Sequence, residues 1–200
     1  MGQPTALSAP DSIGELNRYG DYTGVTRMTA QAPPTNLIPR PGRPEDAQAC
    51  GRICYEAFRA LAGRHGFPGD FPSAEVAADL LSTFLSHPGF YAIVAELDGQ
   101  VVGSNFLDER SSIAGVGPVT VDPAIQDRGI GRRLMQEVLD RATTRGFAGV
   151  RLLQAAYHVR SLSLYATLGF QVRGRCACLQ VRRSAERSRA TRYGRQARRT

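Results

Sequence analysis

Apolar residues recur along this chain with two periods, and the switches between them outline its elements. In "RPEDAQACGRICYEAFRALAG", Ala47, Cys50, Cys54, Ala57, Phe58 and Leu61 fall on one stripe at helical spacing. Pro44 and the two acids after it suit the start of that helix, and Gly63 suits its end. Just upstream, "NLIPR" reads as a short strand ending near Pro41. Downstream, "GRHGFPGDFP" is a Gly/Pro-rich loop carrying aromatic residues. Ser73 then has the character of an N-cap for "AEVAADLLSTFLSH", with Val76, Leu80, Leu81 and Phe84 facing inward, and Pro88-Gly89 stops that helix.

The period then changes from helix to strand. "FYAIVAEL" and "QVVGSNFL" are strands joined by Asp98-Gly99, a strong hairpin signal. "IAGVGPVTV" is a further strand interrupted by Gly117-Pro118, which implies a bulge or a splayed edge, since proline cannot donate to the ladder. Leu134, Met135, Val138, Leu139 and Ala142 make an amphipathic helix ending at Gly146. "GVRLLQAA" reads as a strand, "RSLSLYATLG" as a short helix, and "FQV" and "CACLQV" as two last strands around Gly174-Arg175. The order is β, two helices, a β-meander, then βαβαβ-β. That is an α/β (α+β) mixture with a mostly antiparallel first half.

The two ends differ from this middle. Residues 1–34 are rich in Pro, Thr, Ala and Gly without a sustained period and read as a mobile extension. The domain is expected over 35–181. Residues 182–200 hold eight arginines and one acid, which accounts for the whole net charge of +7. The rest of the chain is formally neutral, so the tail reads as flexible and solvated, and the domain is not expected to bind nucleic acid. All 25 basic residues are arginine, a bias read as compositional. Hydrophobic residues at 42% and charged residues at 22% are ordinary for a soluble globular protein of 200 residues. No apolar run approaches the roughly 18 residues of a membrane span, and the first residues lack the marks of a secretory signal or a myristoylation site. Cys50-x-x-x-Cys54 and Cys176-x-Cys178 have neither zinc nor redox spacing, so they read as buried thiols in a reducing cytosol, with no metal expected.

The chemistry is concentrated in "VTVDPAIQDRGIGRRLM", residues 119–135. A strand, a glycine turn and a helix start together make an anion site, because the turn exposes N–H groups and the helix adds orphan donors and the positive end of its dipole. Arg128, Arg132 and Arg133 would strengthen it. A P-loop would require a lysine, which the chain lacks. A dinucleotide fingerprint requires a third glycine where Leu134 stands. The pattern Gln/Arg-x-x-Gly-x-Gly/Ala fits Gln126-Asp127-Arg128-Gly129-Ile130-Gly131 at every fixed position. A glycine-lined turn into a helix, holding nothing, would also fit that hexapeptide alone.

One helix and one strand later stands Leu164-Tyr165-x-x-Leu168-Gly169-Phe170. In this order the two motifs resemble the GNAT N-acetyltransferase superfamily, over about residues 36–181. The resemblance implies a mixed, mostly antiparallel sheet of six to seven strands with about four helices and splayed central strands, here 115–121 and 149–156. It implies that acetyl-CoA lies in the splay, with no metal. Backbone near Val119, Thr120 and Val121 would bind the pantetheine arm, and one N–H there would polarise the thioester carbonyl. Asp127, Arg128, Gly129, Ile130, Gly131 and Arg132 would wrap the pyrophosphate, and Gln126 would brace the loop. His158, where the family often has Asn, and Ser161 would contact the cofactor.

The implied reaction is direct acetyl transfer to an amine of a small molecule or peptide, with Tyr165 protonating the leaving thiolate. Family members with a defined base often carry an acid on the strand before the loop, and this strand has none. Asp108 and Glu109, at the end of the preceding strand, are the nearest candidates, or else a polar turn. The loop with His65, Phe67, Asp70 and Phe71 is the expected acceptor wall. The implied setting is cytoplasmic, with no membrane partner and a homodimer compatible. A non-catalytic acyl-CoA sensor of the same fold is the alternative.

Overall fold

The computed structural model describes residues 34–176. The extension expected over 1–34 and the tail over 182–200 lie outside the described residues, apart from Pro34. The described residues fall into two compact units divided between Tyr157 and His158.

The first unit is a mixed six-stranded sheet with three helices. β1 (Leu37–Pro41) pairs antiparallel with β2 (Phe90–Leu97), and β2 with β3 (Gln100–Asp108). Asp98 and Gly99 turn that hairpin with φ of 51° and 80°, as a primed turn requires. β4 (Ile113–Val116) pairs antiparallel with β3 and parallel with β6 (Gly149–Leu152), while β5 (Thr120–Val121) pairs with β3. The expected strand over 113–121 is therefore two short ones, broken at Gly117-Pro118.

Side chains on β3 alternate between two layers. Phe106 packs with Cys50, Cys54 and Leu81, which belong to α1 (Ala47–Arg64) and α2 (Ala74–Ser86). Its neighbour Asn105 donates to the Leu134 carbonyl of α3 (Ile130–Thr144), at 3.2 Å. So α1 and α2 cover one face of the sheet and α3 the other. α3 buries Leu134, Met135, Val138 and Ala142 of the expected stripe, together with Ile130, while Leu139 is half-buried. Burial also pushes the Cys50 thiol up to about 11 and the Cys54 thiol up to about 12, so both stay neutral in the core.

α2 departs from the expected face. Ser73 does cap it, accepting from the Val76 N–H at 3.4 Å. But Ala77, Ala78 and Leu81 point inward, while Val76 and Leu80 are 46% and 38% exposed. The cause lies on α1, where Gly51 has no side chain and α2 docks against its backbone. A Cβ built at Gly51 would stand 2.3 Å from the Ala78 Cα. Small residues therefore meet small residues where the two helices touch, and Val76 and Leu80 are rotated outward. α1 also runs past Gly63, stopping at Gly66 (φ 70°) with the Phe67 N–H on the Ala62 carbonyl. "GVRLLQAA" is a strand only to Leu152.

One ion cluster ties β1 to the helix layer. Arg40 holds Asp46 through two bonds of 2.8 Å and Glu96 through one of 2.6 Å, and the Arg43 N–H adds a third bond to Asp46. The Arg40 guanidinium holds the Asp46 carboxyl below the usual range. A carboxyl depressed in the folded state stabilises above its unfolded pKa of about 3.9, and that contribution is lost as pH falls through the folded value. Asp46→Ala should cost about 2–3 kcal/mol at pH 7, because Arg40 keeps Glu96 as a partial counter-charge. Urea unfolding at pH 7 and again below pH 4 checks this: the gap between variant and parent should narrow at the lower pH.

The second unit, over its described residues, is α4 (Val159–Thr167) and the segment after it. "FQV", expected as a strand, has no regular structure, and all of "CACLQV" beyond Cys176 lies outside the described residues.

Candidate functional site

The site begins where the central strands part. β4 and β6 are paired from Ile113↔Gly149 to Val116↔Leu152. Beyond that point β4 kinks at Gly117 (φ 124°), and β5 stays on β3 through Gly103↔Val121 and Ser104↔Thr120. Residues 153–155 have no regular structure. Backbone polar groups on parted strands need partners, so an extended ligand carrying amides suits the gap. Thr120 contributes only backbone there, because its hydroxyl is buried against Ser104 at 3.2 Å.

The glycine loop follows at once. Asp122 accepts from the Ala124 N–H at 2.9 Å, which closes a short turn over Pro123–Ile125. Gln126 then donates to the Val121 carbonyl at 3.0 Å, tying the loop back to β5. Asp127 and Gly129 both take left-handed conformations, with φ of 68° and 74°. Gly129 is the N-cap of α3, so the first N–H groups of α3, which have no partner within the helix, open over the loop. Ile130 anchors the turn in the core at 1% exposure. Arg128, Arg132 and Arg133 are all exposed, and Arg133 is paired with Glu137 at 2.8 Å.

Both candidate acids are held by guanidinium groups. Asp108 accepts from Arg110 at 2.7 and 2.8 Å, and Arg110 holds its carboxyl below the usual range. Glu109 turns to the α3 face, where Arg141 binds it at 2.7 and 3.2 Å and Arg145 stands at 3.8 Å. Arg141 also lies over the Tyr91 ring, 4.9 Å from its centroid. Each of the two carboxylates is thus occupied by a two-bond arginine pair.

The aromatic loop after α1 is split between two partners. Phe71 packs edge-on against Phe58 at 5.8 Å, in the core. His65 and Phe67 instead lie against Tyr157 at 4.8 and 4.7 Å, and the Phe67 and Tyr157 rings are stacked within 12°. Tyr157 thus joins the loop to the segment leaving β6, a role its place in "QAAYH" did not signal. Also on that segment, the Gln154 side-chain oxygen is buried with no hydrogen-bond partner among the described residues.

In the second unit, the Tyr-x-x-Leu-Gly-Phe motif is a helix stop. Gly169 takes φ of 90°, and the Phe170 N–H reaches back to the Tyr165 carbonyl at 3.0 Å. The Gly169 N–H binds the Ala166 carbonyl, and the Phe170 ring lies 5.9 Å from the Tyr165 ring. These are the two bonds and the apolar contact of a Schellman cap. Burial raises the Tyr165 phenol above its ordinary value, and a hydrogen bond with Ser161 works against that rise. The Ser161 hydroxyl is also hydrogen-bonded to His158 Nδ1. Among the described residues no three His, Cys, Asp or Glu side chains stand together as a metal site, and no helix is long and apolar enough to cross a membrane.

Comparison with known proteins gives one consistent likeness. The profile of the acetyltransferase (GNAT) family matches residues 55–170. The uncharacterized N-acetyltransferase YjgM of Escherichia coli K12 is 26% identical over 133 residues, covering 64% of this chain and 77% of that protein. The IAA acetyltransferase of Azospirillum brasilense is 31% identical over 108 residues, covering 53% of this chain and 71% of that protein. The crystal structure of PaiA N-acetyltransferase from Thermoplasma acidophilum, in complex with coenzyme A, superposes with a TM-score of 0.59 at 18% identity, over 68% of this chain and 91% of that one. At that identity the likeness is one of fold.

Proposed function

Because the chain belongs to the GNAT acetyltransferase family, we propose that it is an N-acetyltransferase that moves an acetyl group from acetyl-CoA directly to an amine of a small molecule or peptide. The observation that carries this reading is the parting of β4 and β6 after Val116, with the Gly129 loop braced on Val121 beside it. In this reading the backbone of Val119 and Val121 takes the pantetheine arm, and the N–H groups from Arg128 to Arg132 take the pyrophosphate. Tyr165 protonates the leaving sulfur. Asp108 and Glu109 stay in their arginine pairs, and water carries the proton from the attacking amine. The neutral buried thiols of Cys50 and Cys54 support transfer without an acyl-enzyme and a reducing, cytoplasmic setting.

Calorimetry with acetyl-CoA, followed by a thiol-release assay over a panel of amines, tests the reading. Absence of binding at about 100 μM, within the usual range of substrate constants, would overturn it. Binding with no thiol release from any amine would instead favour an acyl-CoA sensor. Two variants sharpen the assignment. Gly129→Val forces a β-branched residue into a left-handed conformation and should raise KM for acetyl-CoA by about tenfold or more, with little change in kcat at saturation. Glu109→Gln should lower the melting temperature while turnover stays within about threefold, because an essential base would cost about a hundredfold or more. A loss of that size would return the base role to Glu109.

A further inference from the structure

β3 and the chain that pairs with it fall out of step at one residue. The Gly117 N–H binds the Phe106 carbonyl at 2.9 Å, Thr120 stands opposite Ser104, and the Asp122 N–H binds the Val102 carbonyl at 2.9 Å. From Phe106 to Ser104 β3 advances two residues, while its partner advances three, from Gly117 to Thr120. That is a β-bulge, with Pro118 and Val119 both opposite Asn105. Proline costs the ladder nothing there, because it has no N–H to pair. Val119 belongs to neither β4 nor β5, so its N–H stays out of the ladder.

A bulge strands backbone groups, and Asn105 takes the one on β3. In a regular antiparallel pair, Phe106 would receive the Gly117 N–H and return its own N–H to the Gly117 carbonyl. Here the Phe106 N–H goes to Asn105 Oδ1 at 2.8 Å. The other end of that amide is fixed on α3, where Nδ2 donates to the Leu134 carbonyl at 3.2 Å and lies 3.5 Å from Met135 Sδ. Asn105 is fully buried, and a buried amide is costly unless both its ends are satisfied, as they are here. Leucine would fill the same space but leave the Phe106 N–H to reclaim the Gly117 carbonyl. Beyond the bulge the ladder resumes because the Ser104 and Thr120 hydroxyls pair at 3.2 Å and Gly103 admits the Thr120 carbonyl. A Cβ at Gly103 would stand 2.7 Å from that oxygen.

We propose that Asn105 is a positioning residue for acetyl transfer: it fixes the bulge opposite itself and so holds the Val119 N–H out of the ladder, for the thioester carbonyl lying where β4 and β6 part. The inference rests on acetyl-CoA occupying that gap. In the transfer, the amine nitrogen bonds to the carbonyl carbon and the carbonyl oxygen gathers negative charge, which the Val119 N–H stabilises. The charge returns, the C–S bond breaks with its pair on sulfur, sulfur takes up a proton, and the amine loses one to water.

The test separates position from mere stability. Asn105→Leu should lower kcat by about a hundredfold, the usual loss for one oxyanion donor. Calorimetric Kd for CoA, which has no acetyl carbonyl, should stay within about threefold. Gly51→Ala, destabilised at the contact of α1 with α2, should keep kcat within about twofold. Asn105→Asp supplies a rescue with a pH signature. Its protonated carboxyl can accept from Phe106 and donate to Leu134 as the amide does, whereas the ionised form sets a charge against the Leu134 carbonyl. Burial raises such a carboxyl above its unfolded pKa of about 3.9, so its stabilising bonds are present at low pH and lost as pH rises through the raised value. Relative to the parent, the melting temperature and kcat of Asn105→Asp should both be higher near pH 6 than near pH 8, with no such trend in Asn105→Leu. An equal loss of kcat in Gly51→Ala, or a Kd for CoA that rises as much as kcat falls, would overturn the proposal. If the parent turns over and Asn105→Leu matches it, the proposal alone fails. If the parent does not bind acetyl-CoA, the acetyltransferase reading and this inference fall together.

Discussion

Tyr165→Phe is expected to lower kcat by about a hundredfold or more, with KM for acetyl-CoA changed by less than about threefold, because general acid catalysis contributes about 10²–10⁴. The substitution removes one hydroxyl and little else. Phenylalanine keeps the ring that packs 5.9 Å from Phe170 and keeps the carbonyl that receives the Phe170 N–H. The helix stop should therefore survive, and circular dichroism with a melting curve would show it. Alanine at the same position would confound the two roles, since it would also strip the apolar contact from the cap. Acetyl-CoA calorimetry completes the measurement: binding should persist in the variant, and unchanged turnover would refute the acid role.

Gly51→Ala should destabilise the protein by about 2 kcal/mol or more, which for a chain of this size lowers the melting temperature by roughly 5 °C or more. The sign is the informative part. In an open helix, exchanging glycine for alanine stabilises by about 0.8–1.0 kcal/mol. Here the new methyl would meet the Ala78 Cα at 2.3 Å and its backbone nitrogen at 2.5 Å, so α2 must move bodily away from α1. Backbone cannot swing aside as the tip of a side chain can, and the overlap outweighs the propensity gain. Equilibrium urea unfolding checks it, and a stabilised variant would show that the two helices do not touch there. Ala78→Gly should restore little, because the Cα and the backbone nitrogen remain in the way.

Several features were legible because their causes lie within a few residues. The primed turn at Asp98-Gly99, the Ser73 cap and the α3 stripe follow from local backbone preference and spacing. The helix stop at Gly169-Phe170 recurs at Gly66-Phe67 and Gly146-Phe147, each with a left-handed glycine and a phenylalanine N–H bound five residues back. That repeated signal was in the sequence, and reading Gly63 as the end of α1 overlooked it. Gly63 lies inside α1, whereas Gly66 is followed by the apolar residue a Schellman cap uses. The glycine loop was legible as well, since a left-handed turn into an amphipathic helix leaves a short and regular trace.

Other features depended on groups brought in from far along the chain. Nothing near Val76 or Leu80 says that Gly51, 25 or more residues earlier, will admit α2 so closely that its alanines turn inward. Nothing beside Glu109 announces Arg141, 32 positions away, which fixes that carboxylate on the α3 face. Tyr157 meets His65 and Phe67 only because the sheet carries its segment to the loop after α1. The sequence by itself determined the order of elements from β1 to α4, the Ser73 cap and the Asp98-Gly99 turn, and the family through two spaced motifs. Only the tertiary structure decided which arginines pair with which acids and which face α2 buries. Local preferences act over one turn or one hairpin, whereas packing and ion pairing act through space and override them wherever backbone contact or a buried charge is at stake.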